Sequence, residues 1–206
     1  MSNGTYSVTH KKILESGKKL FLKNGYERTN LRELCKAAGV TTGAFYRHFD
    51  DKSAIFCELV DEAANGLLSK FDMAQEKCFD NIDVGNVDEI WNISLGAITE
   101  FIHYIYLHFD AFKLILCCSD GTKYNDYIDR LVERELSSTY RMFEVLDKKK
   151  SPYHHVADNE LHMIIHAYYA CLFETVLHDF DKEVALDSVQ SLYVFFTAGW
   201  RKLLQI

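Results

Sequence analysis

Apolar side chains recur at intervals of three and four residues through almost the whole of this 206-residue chain, and Pro152 is its single proline. That spacing follows the period of an α-helix and not the alternation of a strand. Proline removes a backbone donor and clashes with the preceding turn, so its scarcity lets helices run long. The chain therefore reads as all-α, with about nine helices.

A chain of this length buries a sizeable core without metal or disulfides. The first residues are polar, and no stretch approaches the roughly 20 apolar residues of a membrane span. A cytoplasmic protein with no membrane partner is the expectation. Six cysteines (Cys35, Cys57, Cys78, Cys117, Cys118, Cys171) fall at irregular intervals without a C-x-x-C pair. At apolar helical positions a free thiol packs as a small hydrophobe, and the vicinal Cys117-Cys118 pair is read that way before it is read as a redox or soft-metal sensor.

The whole-chain charge of −7 argues against a nucleic-acid partner until it is divided along the sequence. Residues 1–52 hold ten Lys/Arg against five Asp/Glu, a net of +5, which leaves −12 on residues 53–206. One end is thus offered to phosphates while the remainder is repelled by them. The expected division is a DNA-binding domain over 1–52 and a larger ligand-binding and dimerisation domain over 53–206.

Within the basic end, a first helix is predicted from Val8 to Lys23, with Ile13, Leu14, Gly17, Leu20 and Phe21 on one face, ending at Asn24-Gly25. A short second helix starts at Thr29-Asn30, where Asn30 caps and Glu33 completes a box-like arrangement, with Leu31, Leu34, Ala37 and Ala38 inward. Gly39 occupies a left-handed turn and Val40 anchors it before a third helix, Thr41 to Phe49. A fourth helix follows Asp50-Asp51, whose carboxylates suit a helix start. Two helices joined by a three-residue turn form a helix-turn-helix over about 30–49. Short polar groups, Thr41 and Thr42, stand at the start of the outer helix, and Gly43 lets backbone and duplex approach. Tyr46 offers a hydroxyl to phosphate, and Arg47 reaches phosphate or guanine or faces solvent. His48 and Lys52 flank the next helix start, where they clamp a phosphate.

The segment Thr29 to Lys52, TNLRELCKAAGVTTGAFYRHFDDK, resembles the DNA-binding signature of the TetR family of transcriptional regulators. The turn Ala38-Gly39-Val40, Gly43 and the run Phe45 to Phe49 ending in Asp51-Lys52 all fall in register, and the resemblance covers roughly residues 8–60. It implies operator contacts at Thr29, Asn30, Arg32, Thr41, Thr42, Gly43, Tyr46, Arg47, His48 and Lys52. It further implies a homodimer on palindromic double-stranded DNA, released by a small-molecule effector, with repression the family norm and no cofactor.

Beyond the basic end, helices are predicted from Asp88 to His108, Ala111 to Cys118, Thr122 to Leu146, Asn159 to His178 and Asp181 to Leu204. Lys148 to Lys150 and Pro152 end the third of these, so the lysine run is a helix end and not a second DNA patch. The last helix is apolar around much of its circumference, and surplus apolar surface implies a partner. The expected dimer residues are Ile165, Tyr169, Leu172, Val189, Leu192, Phe196 and Trp200. A family-level pocket would draw on Trp91, Phe101, His103, Tyr104, Phe112, Tyr127, Tyr168 and Glu174, although most of these aromatics also suit a plain core.

Catalytic and metal chemistry find little support. His162 and His166 sit four apart on one helix, but no H-E-x-x-H pattern surrounds them, and they read as core or interface residues. The Asp80–Asp88 loop fails as a calcium loop because Ile82 falls at a ligand position. No nucleophile elbow or phosphate-binding loop is present, so no enzyme is expected. The competing reading is a helical ligand-binding or enzyme domain whose N-terminal helices make protein contacts. Substitution of Tyr46 and Lys52 separates the two, because only a regulator would lose its promoter DNA. A third reading is activation, or an architectural role on DNA; the short base-reading groups Thr41 and Thr42 favour sequence-specific binding over the architectural role.

Overall fold

The structure is a computed structural model that describes the backbone of residues 3–80 and 87–205 and the side chains of residues 4–79 and 95–205. Among the described residues the chain forms nine α-helices and no strand. They are α1 (Asn3–Asn24), α2 (Leu31–Ala38), α3 (Thr42–Phe45), α4 (Lys52–Asp80), α5 (Val87–Leu107), α6 (Phe109–Cys117), α7 (Tyr127–Lys148), α8 (Asp158–Leu177) and α9 (Lys182–Leu204).

Three boundaries depart from the pattern, each for a local reason. α1 begins at Asn3 instead of Val8, because its first turn is held by contacts the polar sequence does not advertise: the Tyr6 ring lies 4.1 Å from that of His48, and its hydroxyl donates to the Arg47 carbonyl at 3.4 Å. α3 stops at Phe45, and Tyr46 to Phe49 close a turn in which the N–H groups of His48 and Phe49 both donate to the Phe45 carbonyl. α7 begins at Tyr127 instead of Thr122, since Thr122 donates its hydroxyl to Ser119 and accepts from the Tyr124 N–H, which makes a turn around Gly121. Residues 81–86 of the Asp80–Asp88 loop and the Trp91 side chain fall outside the described residues, while Asp80 ends α4 and Val87 and Asp88 open α5.

The helices sort into two compact units, residues 1–65 with 108–125, and residues 66–107 with 126–206. This division differs from a boundary at Lys52. α4 serves both units, and α6 with its following turn belongs to the first. The reason lies in the packing: Tyr26 donates its N–H to the Cys118 carbonyl at 2.9 Å, Lys18 pairs with Asp110 at 2.7 Å, and Tyr124 hydrogen-bonds Asp61.

In the first unit Ile13, Phe21, Leu34, Phe45, Ile55 and Phe56 are fully buried and join α1, α2, α3 and the start of α4. Gly17 marks the close approach of α1 to α4, since a Cβ there would lie 2.8 Å from the Ile55 Cγ2. In the second unit α5 packs against α9, and α8 against α7 and α9, around Ile102, Ile105, Leu161, Phe173 and Val176. Burial of side chains of this size contributes roughly 1.5–3 kcal/mol each, which outweighs the weak propensities of a β-branched and aromatic-rich sequence.

Candidate nucleic-acid interface

The α2–turn–α3 corner is fixed by its caps. Asn30 Oδ1 accepts the Glu33 N–H at 2.8 Å, and Thr41 Oγ1 accepts the Ala44 N–H at 3.1 Å. Gly39 lies at φ 66°, where its N–H turns back to the carbonyl of Lys36 while that of Val40 reaches Cys35. A Cβ at this angle is strained, so glycine is the residue the turn requires. Leu34, Cys35 and Ala38 of α2 point inward with Phe45 and Phe49. Cys35 takes the inward place expected of Ala37, which is exposed. Its thiol is pushed up by burial, against a hydrogen bond with the Thr42 side chain.

With the aromatic pair turned in, the opposite side of the corner is left to solvent. Asn30, Arg32, Thr41, Thr42, Gly43, Tyr46 and Arg47 are all exposed, Tyr46 by 56%. Nothing lies within 4 Å of the position a Gly43 Cβ would take. Its missing side chain therefore serves no internal packing, and the space is open to an external partner.

Three expected contacts take other roles. Thr29 is buried to 1% exposure and donates its hydroxyl to the carbonyls of Gly25 (2.8 Å) and Leu20 (3.3 Å). Lys52 is half-buried, and its Nζ donates to the carbonyls of Tyr26 (2.7 Å), Thr29 (2.9 Å) and Glu27 (3.4 Å) while lying 4.1 Å from the Tyr26 ring. An ammonium has three donors, and here all three are committed to the 26–29 loop, so Lys52 positions the start of α2 in place of clamping a phosphate. His48 is half-buried between Tyr6 and His10, its Nδ1 buried without a hydrogen-bond partner. Burial, then the neighbouring His10 and Arg47 charges, holds its imidazole below the usual histidine range.

His10, which pairs with Glu58 at 2.7 Å, and Tyr6 were not foreseen as neighbours of the site. The signal was their spacing of four, which becomes one face only once α1 is allowed to begin at Asn3.

The second unit holds a cleft of about 620 Å³ between α4 and α7. Leu68, Phe71 and Phe79 supply its apolar wall, and Asp72, Gln75 and Glu76 on α4 face Arg130, Arg134, Ser138 and Arg141 on α7. Arg134 Nη1 contacts both oxygens of Asp72 (2.6 and 2.9 Å), and Arg141 pairs with Glu76 at 2.8 Å while stacking 3.9 Å over Phe79. Behind Gln75 lies Glu135, whose Oε2 accepts from Gln75 Nε2 (3.0 Å) and from the Tyr169 hydroxyl (3.2 Å). Burial pushes its carboxyl up to about 7, against the hydrogen bond from Tyr169.

None of the expected pocket residues whose side chains are described lines this cleft. Phe101 and Tyr127 are core residues of the second unit, and Phe112 is fully buried in the first. His103 is exposed, Tyr104 is half-buried beneath Lys70, and Glu174 is exposed and paired with His178 at 2.8 Å. Tyr168 alone lies near Glu135, its hydroxyl buried without a partner.

The expected dimer set also divides. Ile165, Tyr169, Leu172 and Val189 are 2–4% exposed in the single chain, so they have no surface left to lose to a second copy. Leu192, Phe196 and Trp200 are half-buried, Phe196 against Tyr168 and Trp200 against the Phe143–Leu161–Leu204 cluster. Outward apolar surface on these helices comes instead from Met163, Val194 and Phe195 (64%, 59% and 73% exposed). His162 and His166 stack on α8 with ring centroids 6.2 Å apart. No helix among the described residues is long and apolar enough to cross a membrane.

Residues 13–59 match the family described as "Bacterial regulatory proteins, tetR family". The chain is similar to the HTH-type transcriptional regulator AcrR of Shigella flexneri, at 49% identity over 51 residues, 25% of this chain and 24% of that protein. It is also similar to the HTH-type transcriptional repressor AcnR of Corynebacterium diphtheriae, at 36% identity over 64 residues, 31% of this chain and 34% of that protein. These matches span between a quarter and about a third of the relatives' own lengths. Among solved structures, a transcriptional regulator from Aquifex aeolicus shares the fold, with a TM-score of 0.58 and 19% identity over 91% of this chain and 99% of that one.

Proposed function

We propose, because residues 13–59 match the tetR family of bacterial regulatory proteins, that the chain is a sequence-specific DNA-binding transcriptional regulator, a repressor that a small molecule releases from its operator. The observation that carries this reading is the outward set on the α2–α3 corner. Thr41, Thr42, Gly43 and Tyr46 face solvent on the element that Phe45 and Phe49 anchor from behind. A major groove admits one helix with short groups at its N-terminal turn. In this reading Thr42, Gly43 and Arg47 approach base edges, while Asn30, Arg32 and Tyr46 hold phosphates. Lys52 and Thr29 keep α2 in place. No catalytic step is involved, and the site of action is the cytoplasm, where the DNA is.

The regulator acts as a homodimer through the outward faces of α8 and α9, with Phe195 and Val194 foremost. Two-fold symmetry then sets two reading heads about 34–36 Å apart, one helical turn of DNA. Effector binding in the second unit shifts α4, the helix both units share, and so spreads the heads.

Footprinting of the protein on DNA upstream of its own gene tests the reading. A discrete protected palindrome is expected, with Tyr46→Ala requiring about fivefold more protein for the same protection. Absence of any protected site at low ionic strength, where phosphate contacts are strongest, overturns it.

A further inference from the structure

Every cation lining the α4–α7 cleft already has a carboxylate beside it. Arg134 holds Asp72, Arg141 holds Glu76, and Arg130 lies 3.4 Å from Asp126. An anionic ligand would have to displace one of these resident carboxylates before it found a partner. The acceptors are differently placed. Glu135 receives hydrogen bonds from Gln75 and Tyr169, both uncharged. Ser138 Oγ donates to Gln75 Oε1, and the Tyr168 hydroxyl is buried and unpartnered near the same carboxylate. A carboxylate desolvated among neutral donors is held at a cost, which a charged donor offsets far better than an amide does.

We propose that Glu135, with the hydroxyls of Tyr168, Tyr169 and Ser138, is the anchoring subsite for the protonated amine of an apolar or aromatic effector admitted through the α4–α7 cleft. The inference rests on the regulator reading above and names the effector class for it. Gln75 is the cover. It lines the cleft on one side and touches Glu135 on the other, so an ammonium that takes the place of its Nε2 keeps every acceptor satisfied and gains a full charge. The Phe71, Phe79 and Leu68 wall receives the effector's body. The same displacement removes a direct tie between α4 and α7, which gives the ligand a differential effect on the position of α4.

Binding also depends on pH through Glu135. Its neighbours are Gln75 on α4, Ser138 on α7, Tyr168 and Tyr169 on α8, and Tyr193 on α9 beside Tyr168. Tyr168 and Tyr169 are pushed up by burial and remain neutral over the working range. Only the carboxyl titrates, near 7, so amine affinity rises about tenfold between pH 6 and 8 as the ionised fraction grows.

Three probes that share one body separate the chemistry: 1-naphthylmethylamine, 1-naphthylmethanol and 1-naphthylacetate, titrated by calorimetry against the full chain at pH 8. The amine is expected to bind at least tenfold more tightly than the alcohol, and the acetate most weakly. Glu135→Gln removes the amine's advantage and leaves the alcohol unchanged, with thermal melting confirming the fold. Tyr168→Phe, which deletes a hydroxyl the empty protein does not use, leaves melting unchanged and weakens the amine by about threefold to tenfold. Preference for the acetate, an amine-to-alcohol ratio unaltered in Glu135→Gln, or no saturable amine binding by the folded protein at millimolar concentration would each overturn the proposal. A footprint on the protein's own promoter without probe isolates the other reading: protected DNA with no amine binding sinks the effector class alone, and unprotected DNA sinks the regulator.

Discussion

Replacing Glu135 with glutamine should make the protein more stable above neutral pH and, by the cost of its amide among neutral donors, about 1 kcal/mol less stable near pH 4.5. Burial raises this carboxyl from the ordinary value near 4.5 to about 7 in the folded chain. Between those two values the folded state binds more protons than the unfolded one, so stability is fully present below 4.5 and is lost as pH rises through 7. A shift of about 2.5 units at 1.36 kcal/mol per unit corresponds to about 3 kcal/mol lost above pH 7. Glutamine has the same shape and stays neutral, so it escapes the loss. It still accepts from Tyr169 and Gln75 through its carbonyl oxygen, but its amide must find a place among neutral donors. That trims the expected gain to about 2 kcal/mol.

Urea denaturation of both proteins at pH 5 and pH 8 reads the effect as a difference of differences, in which every other titrating group cancels. The variant's advantage should grow by about 2.5 kcal/mol from pH 5 to pH 8, because the amide's cost is the same at both, with the urea slope unaltered. An advantage that stays constant within about 0.5 kcal/mol, or that shrinks with pH, would show that Glu135 is solvated and that the α4–α7 cleft has no buried carboxylate behind it.

Four further outcomes are expected. Tyr46→Ala weakens operator binding about fivefold with the salt slope unchanged, whereas Arg32→Gln, which removes a cation from a phosphate, lowers that slope by about one per protomer; anisotropy titrations from 50 to 200 mM salt measure both. Lys52→Met destabilises the chain by about 1–3 kcal/mol through three orphaned carbonyls and weakens DNA binding without altering the slope; a slope reduced by one would instead return Lys52 to the phosphate. His48→Phe flattens the loss of stability on acidification, because a histidine held below its usual range must take up a proton as pH falls past 6.5, and melts at pH 7 and pH 5 reveal it. Phe195→Lys, at a position 73% exposed, keeps a cooperative melt, lowered by the loss of subunit association, and converts the dimer to monomer in light scattering; a persistent dimer refutes the α9 face.

The helices of this chain were legible because each carries an apolar stripe long enough to fix its period, and the corner was legible because Asn30, Gly39 and Thr41 are cap and turn residues with local geometry. What stayed hidden depends on side chains meeting across long stretches of sequence. Lys52 reads as a surface cation until the carbonyls of Tyr26 and Thr29 are seen to surround it. Phe112 reads as a pocket aromatic beside Tyr127, but the two belong to different units. Tyr169 and Leu172 have the spacing of an interface face, yet α8 turns them into its own core. Glu135 carried no signal at all, since a glutamate between Arg134 and Leu136 on an amphipathic helix looks solvated. Only the crossing of α4 and α8 over α7 puts Gln75 and Tyr169 on its oxygen.

One helix connects the two ends of the proposed mechanism. α4 begins at Lys52, whose ammonium holds the 26–29 loop from which α2 and its cap Asn30 depart. The same helix carries Asp72, Gln75 and Glu76, which bond to Arg134, Glu135 and Arg141 of α7. An effector that replaced only an ion pair at the exposed rim would change little, because exposed pairs are worth about 0–1 kcal/mol. Displacement of Gln75 from Glu135 is different, because it exchanges a desolvated contact for a charged one and exists only in the ligand-bound arrangement. An effector shifts the equilibrium by no more than its difference in affinity for the two arrangements. The amine must therefore bind the DNA-free protein more tightly than the operator complex, by the same factor by which it weakens DNA binding. Equal amine affinity with and without operator would leave the cleft a binding site with no hold on the reading head.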